Sequence, residues 1–438
     1  MKSLLLIVQL LLVAVCYSQT VRHLDDLSMN TIDAAIMNEI SQSSLPGVSV
    51  GIIYNGRVAY TKAYGQAAPG VNATTSTKYP IASVSKTITG IMAMKMIENN
   101  DIGLDDLIRD HVSGYYSSGI TIRHLLSHQS GIGHYNNCPG GYSGAFSAAA
   151  SLDVVHGCSI CMGPPGSGTL YTTFGSTLLG VIINNVGLIK YGKTYTQLYN
   201  EWIRDAAGLS DLTAEYNNLI NNIAVGYSQN GLPLPGYWDD IGWKLPAGGF
   251  VATAHDLAGF GVGVMNYTFL GFTASHQMWQ KQDTTGSPIN VCNDPLGNNY
   301  GLAFSVSSSG DSLRISHHGL NTEHGFASLL YLYPNLKRGI VLLTNKNELT
   351  GALDDILDAV DATLLCPANR DFTSQVNTID DWVYEATAIQ ASNTFSAGTG
   401  VIVFDGANEV VLKPGFYAQA GINFRAVIDG CGGIVHPY

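Results

Sequence analysis

Ser83 and Lys86 stand three residues apart in Ile81-Ala82-Ser83-Val84-Ser85-Lys86-Thr87, at the head of a long apolar run. In a helix, three residues return the chain to within roughly 60° of the same face, one turn on. That spacing sets the Lys86 amine beside the Ser83 hydroxyl. A serine hydroxyl is a poor nucleophile until a base takes its proton, and a buried lysine can lose its own proton near neutral pH. A nearby helix start adds free backbone N–H groups that favour negative charge. The pair therefore has the chemistry of nucleophilic acyl transfer. A serine cap followed by an ordinary lysine would look the same, so the rest of the chain must decide. Ser85 is the weaker nucleophile, because no lysine follows it three residues on.

Other residues could join such chemistry. Tyr171 could move a proton, although a tyrosine taken alone reads as a core aromatic with a satisfied hydroxyl. His317-His318-Gly319 offers an imidazole beside a glycine, where a substrate backbone could approach. His124 and His128 are four apart and could share a helix face as metal ligands. No Glu lies between them as in the zinc protease motif. Trp238 and Trp243 read equally as pocket or core. No cofactor is called for.

The 438 residues suffice for two or three domains and a large core. Hydrophobic residues make up 46% and charged ones 12%, which describes a globular chain rather than a disordered one. A net charge of -12 argues against nucleic acid, which needs a basic footprint. Residues 1–18 read as a secretory signal: Lys2, then an apolar run from Leu4 to Val15, then Cys16-Tyr17-Ser18 before a cut ahead of Gln19. The alternative, a lipoprotein signal ending at Cys16, sits poorly with bulky Val15. No other stretch has the length and apolarity of a membrane span. Localisation is then secreted, periplasmic or cell-surface. Six cysteines remain: Cys138, Cys158, Cys161, Cys292, Cys366 and Cys431. An even count in an exported chain points to disulfides, whose pairing the sequence leaves open. Cys158 and Cys161 could instead form a redox or metal pair, but no second close pair completes a site.

The elements that must position these residues follow from pattern. Apolar spacing predicts a helix over 26–42, stopped by Pro46. Asn55-Gly56 between two apolar runs predicts a hairpin. A helix from Ser83 to Glu98 is apolar around most of its circumference and should be buried. Residues 131–170, rich in Gly, Pro and Ser with three cysteines, read as a cross-linked loop at a functional mouth. Helices follow over 177–189, 196–209 and 254–264, with a tight turn at Pro246-Ala247-Gly248-Gly249. Strands are expected at 302–306, 312–315, 326–333 and 339–344, and a closing helix at 349–365. A strand pair early, helices in the middle and strands late predict one antiparallel sheet split by a helical insertion. The fold class is thus α+β: a sheet part of about 25–80 and 296–365, and a helical part of about 81–295, within a domain spanning 19–366. Residues 367–438 carry short apolar strands between glycines and form a separate small all-β module, pinned by Cys366 and Cys431.

Several stretches together resemble the serine β-lactamase-like hydrolases, which include class C β-lactamases, D-alanyl-D-alanine carboxypeptidases and family VIII esterases. Ile81–Lys86 resembles the family's nucleophile motif. Ile122-Arg123-His124-Leu125-Leu126-Ser127-His128-Gln129-Ser130-Gly131 resembles its T-x-R-x-L-L-x-H-x-S-G segment. Tyr171-Thr172-Thr173-Phe174-Gly175 with Leu178-Leu179-Gly180 resembles Y-x-N-x-G…L-L-G, Pro246–Gly249 the AGG turn, and His317-His318-Gly319 the third motif. The resemblance covers roughly residues 25–365, in order. It implies that Lys86 and Tyr171 together activate Ser83, and that the backbone N–H groups of Ser83 and Leu320 hold the oxyanion. It also implies that Thr173, His317 and Gly319 bind substrate, and that His124 and His128 are structural. Tyr171 can serve as a base only if Lys86 lowers its pKa. Two departures matter. Thr173 stands where the family often has Asn, and the third motif lacks its lysine, a permanent charge for a substrate carboxylate. The longer spacing to Gly325-Phe326 lets His318 compete with His317 for the role. The resemblance therefore implies an esterase or D-amino-acid peptidase acting on a small molecule or peptide. The alternatives are a β-lactamase and a catalytically silent binding protein. The C-terminal module resembles small β modules of secreted Gram-negative enzymes through Leu412–Phe416 and Phe424–Ile428, which implies secretion or attachment to the cell surface or wall.

Overall fold

The computed structural model describes residues 26–365, apart from 116–118, 143, 215–220, 235–240, 286, 293–299, 310–311 and 348–350. Beyond these it describes the strand segments 369–372, 382–391, 394–395, 401–412, 417–418 and 423–427. The expected signal, Trp238, Cys366 and Cys431 lie outside the described residues.

The main sheet has seven strands: β1 (Gly47–Tyr54), β2 (Arg57–Ala68), β3 (Val71–Asn72), β4 (Ser305–Ser309), β5 (Ser312–Asn321), β6 (Phe326–Tyr333) and β7 (Arg338–Thr344). Their order across the sheet is β3-β2-β1-β7-β6-β5-β4, antiparallel throughout. The β1–β2 turn has Asn55 at φ 51° and Gly56 at φ 70°, the two positive angles a tight hairpin of this hand requires. Every residue of β1 is buried, because helices cover both faces of the sheet. Successive side chains of a strand point to opposite faces. Val48, Val50 and Ile52 pack with Ile32 and Ile36 of α1 (Asp26–Ser43) and with Ile356 and Val360 of the closing helix Ala352–Leu365. On the other face a Cβ at Gly51 would stand 2.6 Å from the Ala254 carbonyl, so glycine lets the helix Ala254–Met265 lie directly on the strand.

Helices fill the chain between β3 and β4. They include α2 (Ser85–Glu98), α3 (Ile122–Leu126), α4 (Ala148–His156) and α5 (Thr173–Tyr191). The 14 residues of α2 are buried around nearly the whole circumference, as the sequence suggested. One point differs. α5, at 19 residues, is long and apolar enough to cross a membrane, which the sequence reading had found nowhere beyond the leader. Most of it is buried inside the helical layer, and a core helix carries the same composition as a span.

Residues from Leu365 onward belong to a second compact unit. It is all-β among the described residues, but its pairing was not foreseen. Asn369 pairs with Ala388, Trp382 with Ile402 and Val401 with Asn423, all in parallel, at offsets of 19, 20 and 22 residues. Parallel neighbours usually need a helical crossover. A nearly constant offset this short is the geometry of stacked rungs, a repeat that glycine punctuation alone did not reveal.

Candidate active site

Ser83 lies in a single 3₁₀ turn, Ala82–Val84, immediately before α2. Ala82 is held at φ 42°, a region costly for a residue with a Cβ. The bend is fixed from three sides. Ile81 N–H donates to the Phe250 carbonyl, the Ser328 hydroxyl donates to the Ile81 carbonyl, and the Phe250 N–H donates to the Ser85 hydroxyl. Ser85 is thereby a structural acceptor and not a nucleophile.

Lys86 is buried one turn on. Its Nζ lies 2.9 Å from Ser83 Oγ, 2.7 Å from the Ala247 carbonyl oxygen and 3.4 Å from Thr173 Oγ1. Burial first, and then the charge of Lys244, push its pKa well below that of an ordinary lysine. The Ala247 carbonyl can only accept, so it takes one Nζ–H. An amine that has lost a proton would have a lone pair to turn toward the Ser83 hydroxyl. The Pro246–Gly249 turn thus acts through one backbone oxygen.

Tyr171 hydrogen bonds Ser83 and lies beside Lys86, whose Nζ is 5.0 Å from the ring centre. Burial raises its pKa far above the ordinary value, and the Ser83 hydrogen bond only partly offsets this. That direction favours Tyr171 as a proton donor over Tyr171 as a base. His128, fully buried and kept neutral, props the tyrosine at 4.4 Å between rings and accepts the Thr172 N–H on Nδ1, 3.3 Å away. His124 instead caps α3, accepting the Thr121 N–H on Nδ1 at 3.2 Å. The two histidines do different structural work.

Ser83, Tyr171, Thr173, His317 and Leu320 line one cavity of about 490 Å³. Leu320 lies on β5 beyond the last residue paired to β4, on an edge that no strand covers among the described residues. His317 is buried, 6.2 Å from the Tyr171 ring, whereas the half-exposed His318 side chain bonds the Tyr331 hydroxyl on the other face. Both residues line the cavity, but strand alternation puts the buried His317 ring, and not that of His318, toward Tyr171. A Cβ at Gly319 would stand 2.2 Å from both the Ile81 carbonyl oxygen and Ser328 Oγ. The glycine makes room for the nucleophile's own loop.

The sequence reading missed His134, Tyr135 and Tyr300, which also line the cavity. His134 Nδ1 accepts the Thr173 N–H at 3.2 Å, and burial with Lys86 nearby lowers its pKa to about 4. His134 and Tyr135 belong to the loop expected at the mouth, and polar aromatic residues close to its cysteines are the signal that the sequence offers for them. That loop is tied down by Cys138–Cys158 and Cys161–Cys292. Cys158 and Cys161 are therefore not partners. Trp243 is core, stacked on Phe174 at 4.7 Å. Among the described residues no three His, Cys, Asp or Glu gather as metal ligands.

Comparison with known proteins follows the same lines. Residues 19–364 match the Beta-lactamase family. The chain is 27% identical over 342 residues to "Protein flp" of Staphylococcus aureus, covering 73% of this chain and 64% of that protein. It is 25% identical over 365 residues to "Beta-lactamase-like protein 4" of Dictyostelium discoideum, covering 77% and 64%. It thus spans just under two thirds of these relatives' length. Among solved structures it resembles an octameric penicillin-binding protein homologue from Pyrococcus abyssi (TM-score 0.59, 21% identity, 73% of each chain). It also resembles a penicillin-binding protein from Bacillus halodurans (TM-score 0.59, 20% identity, 75% of this chain and 98% of that one).

Proposed function

The chain belongs to the Beta-lactamase family, a family of serine hydrolases, and from that premise we propose that it is an exported acyl hydrolase of the esterase or D-amino-acid peptidase type. The observation that carries this reading is the buried Lys86 amine 2.9 Å from Ser83 Oγ, its pKa pushed well below that of an ordinary lysine by burial. Lys86 takes the Ser83 proton as Ser83 Oγ attacks the carbonyl carbon of an ester or amide. Backbone N–H groups of Ser83 and Leu320 stabilise the oxyanion, each worth roughly 100-fold or more in rate. The bond to the leaving group then breaks, and Tyr171 passes it a proton that Lys86 replaces. Water attacks the acyl-enzyme by the same route in reverse, regenerating Ser83. Export is supported by the N-terminal apolar run and by the paired cysteines. The β module from residue 367 would serve secretion or surface attachment.

The test is intact-mass labelling of the purified protein with a fluorophosphonate and, separately, with a penicillin. The expected result is a single adduct with the fluorophosphonate that is absent from Ser83→Ala. Penicillin labelling would favour the β-lactamase alternative or a peptidoglycan-like substrate. No adduct with either reagent on folded protein would overturn the hydrolase reading in favour of a silent binding protein.

A further inference from the structure

The site's unused polar groups lie on its β5 side. His317 Nδ1 is 2.6 Å from the His318 carbonyl oxygen. A carbonyl only accepts, so Nδ1 carries the proton. Burial, reinforced by Lys86, pushes the His317 pKa to about 3, so the ring is neutral and Nε2 presents a bare lone pair. That nitrogen is buried, and no group among the described residues donates to it. The Tyr300 hydroxyl is in the same condition, and its ring meets that of His317 edge-on at 6.2 Å. Both residues line the cavity holding Ser83. No Asp, Glu, Lys or Arg side chain lines it among the described residues. Lys244, 6.0 Å from the Tyr135 ring, is not part of the lining.

A family member with lysine in the third motif offers a charged donor there. This chain offers an acceptor. A buried acceptor left without a donor is costly, and a ligand that displaces solvent from it must replace the lost bond. A carboxylate would bring lone pairs against a lone pair, into a cavity that no Lys or Arg side chain lines among the described residues.

We propose that the cavity selects uncharged acyl substrates bearing an N–H or O–H donor beside the scissile carbonyl, with His317 Nε2 accepting that donor and Tyr300 as the second group that reads the substrate. The proposal rests on the serine-hydrolase reading above.

Three p-nitrophenyl esters test it on the full chain: those of N-acetylglycine, N-acetylsarcosine and succinic acid. The first two differ only by an N–H replaced with N–CH₃, and the third carries a free carboxylate. Each kcat/KM is divided by that ester's rate with hydroxide. The expected order is N-acetylglycyl at least about tenfold over N-acetylsarcosyl, with the hemisuccinate slowest. His317→Phe should bring the two neutral esters to within about twofold of each other. The wild-type comparison stands alone if that variant fails to fold, and Tyr300→Phe, which removes one oxygen, then serves as the second variant and should narrow the gap. A wild-type preference under tenfold, a fastest hemisuccinate, or a preference that survives His317→Phe overturns the proposal. If Ser83 is still labelled by fluorophosphonate in those cases, the hydrolase reading stands without it. If Ser83 is not labelled and no ester turns over, both fall.

Discussion

The α2 wall and the β5 wall of the cavity are built on opposite terms. On the α2 wall every polar group has a partner inside the protein: Lys86 has Ser83, Thr173 and the Ala247 carbonyl, and Tyr171 has Ser83. On the β5 wall His317 Nε2 and the Tyr300 hydroxyl have none among the described residues. The contrast separates chemistry from selection. A base must be set in place before substrate arrives, or binding has to rearrange it. A group that reads the substrate must instead be left unsatisfied until the substrate comes. Substitutions on the first wall should therefore cut turnover for every substrate, and those on the second should redistribute rate among substrates.

The largest effect expected on the α2 wall is from Ser83→Ala or Lys86→Met. Each should lower ester kcat/KM by roughly four orders of magnitude, since nucleophile and base act as one unit. The double variant should lose little more than either single variant. A Lys86→Met enzyme within tenfold of wild type would break the comparison, because the closed wall would then not be the machine. Steady-state hydrolysis of p-nitrophenyl acetate reads all three.

Tyr171→Phe should cost less, on the order of 100-fold in kcat, with KM little changed. The phenol is a relay, and its loss leaves the base and the oxyanion donors in place. Its raised pKa adds a sharper condition. If Tyr171 works protonated, kcat should show no falling limb on the acid side that Tyr171→Phe removes. The acid limb should belong to Lys86, whose lowered pKa sets where the base is lost as pH falls. An acid limb present in wild type and absent from Tyr171→Phe would return the role of base to Tyr171.

The α2 wall was largely legible in the sequence and the β5 wall was not, for a physical reason. Ser83 and Lys86 are joined by one helical turn, so sequence spacing is spatial spacing. The hairpin at Asn55-Gly56 and the buried α2 are equally local. The selective wall depends on contacts between distant segments. Tyr300 and His134 meet His317 and Thr173 only once the sheet and the loop are assembled, and nothing in either tripeptide announces it. The packing role of Gly319 was hidden for the same cause. Its neighbours are Ile81 and Ser328, and a glycine required by backbone packing looks in sequence like one required by substrate. Whether Tyr171 can act as a base turns on a pKa that depends on burial, which spacing does not give. In the C-terminal unit the parallel offset of about twenty residues is a long-range register.

The neutral histidines give a smaller effect, on stability. His317 and His128 are both held below their ordinary pKa by burial. Above about pH 6.5 the folded and unfolded chains are both neutral at these positions, and neither contributes a pH dependence. As pH falls below 6.5 the unfolded chain takes up protons that the folded one refuses. Stability should then drop by about 1.4 kcal/mol per pH unit for each group, down to about pH 3 for His317. Melting temperature should decline steadily from pH 6.5 to 5, and more shallowly in His317→Phe. A wild-type curve flat over that interval would mean that the β5 wall is already solvated and not the dry acceptor described above.

The smallest effect concerns the loop that carries His134 and Tyr135. Cys138–Cys158 closes the loop on itself, and Cys161–Cys292 ties its far end to the segment Ile289–Asn290, which pairs with Met162–Gly163. Neither bridge touches Ser83, Lys86 or Tyr171, so the base and nucleophile do not need them. They limit how far the Tyr135 side of the cavity can move from Thr173, which His134 contacts through a single N–H bond. Cys138→Ser/Cys158→Ser should therefore raise KM by a few-fold and leave kcat within about twofold of wild type, since only the positioning of bound substrate is loosened. The rise should be larger for N-acetylglycyl than for acetyl esters, because selection and not chemistry depends on the cavity's shape. A fall in kcat equal for both esters would mean that the loop supports the α2 wall instead, and that the two walls are one structure.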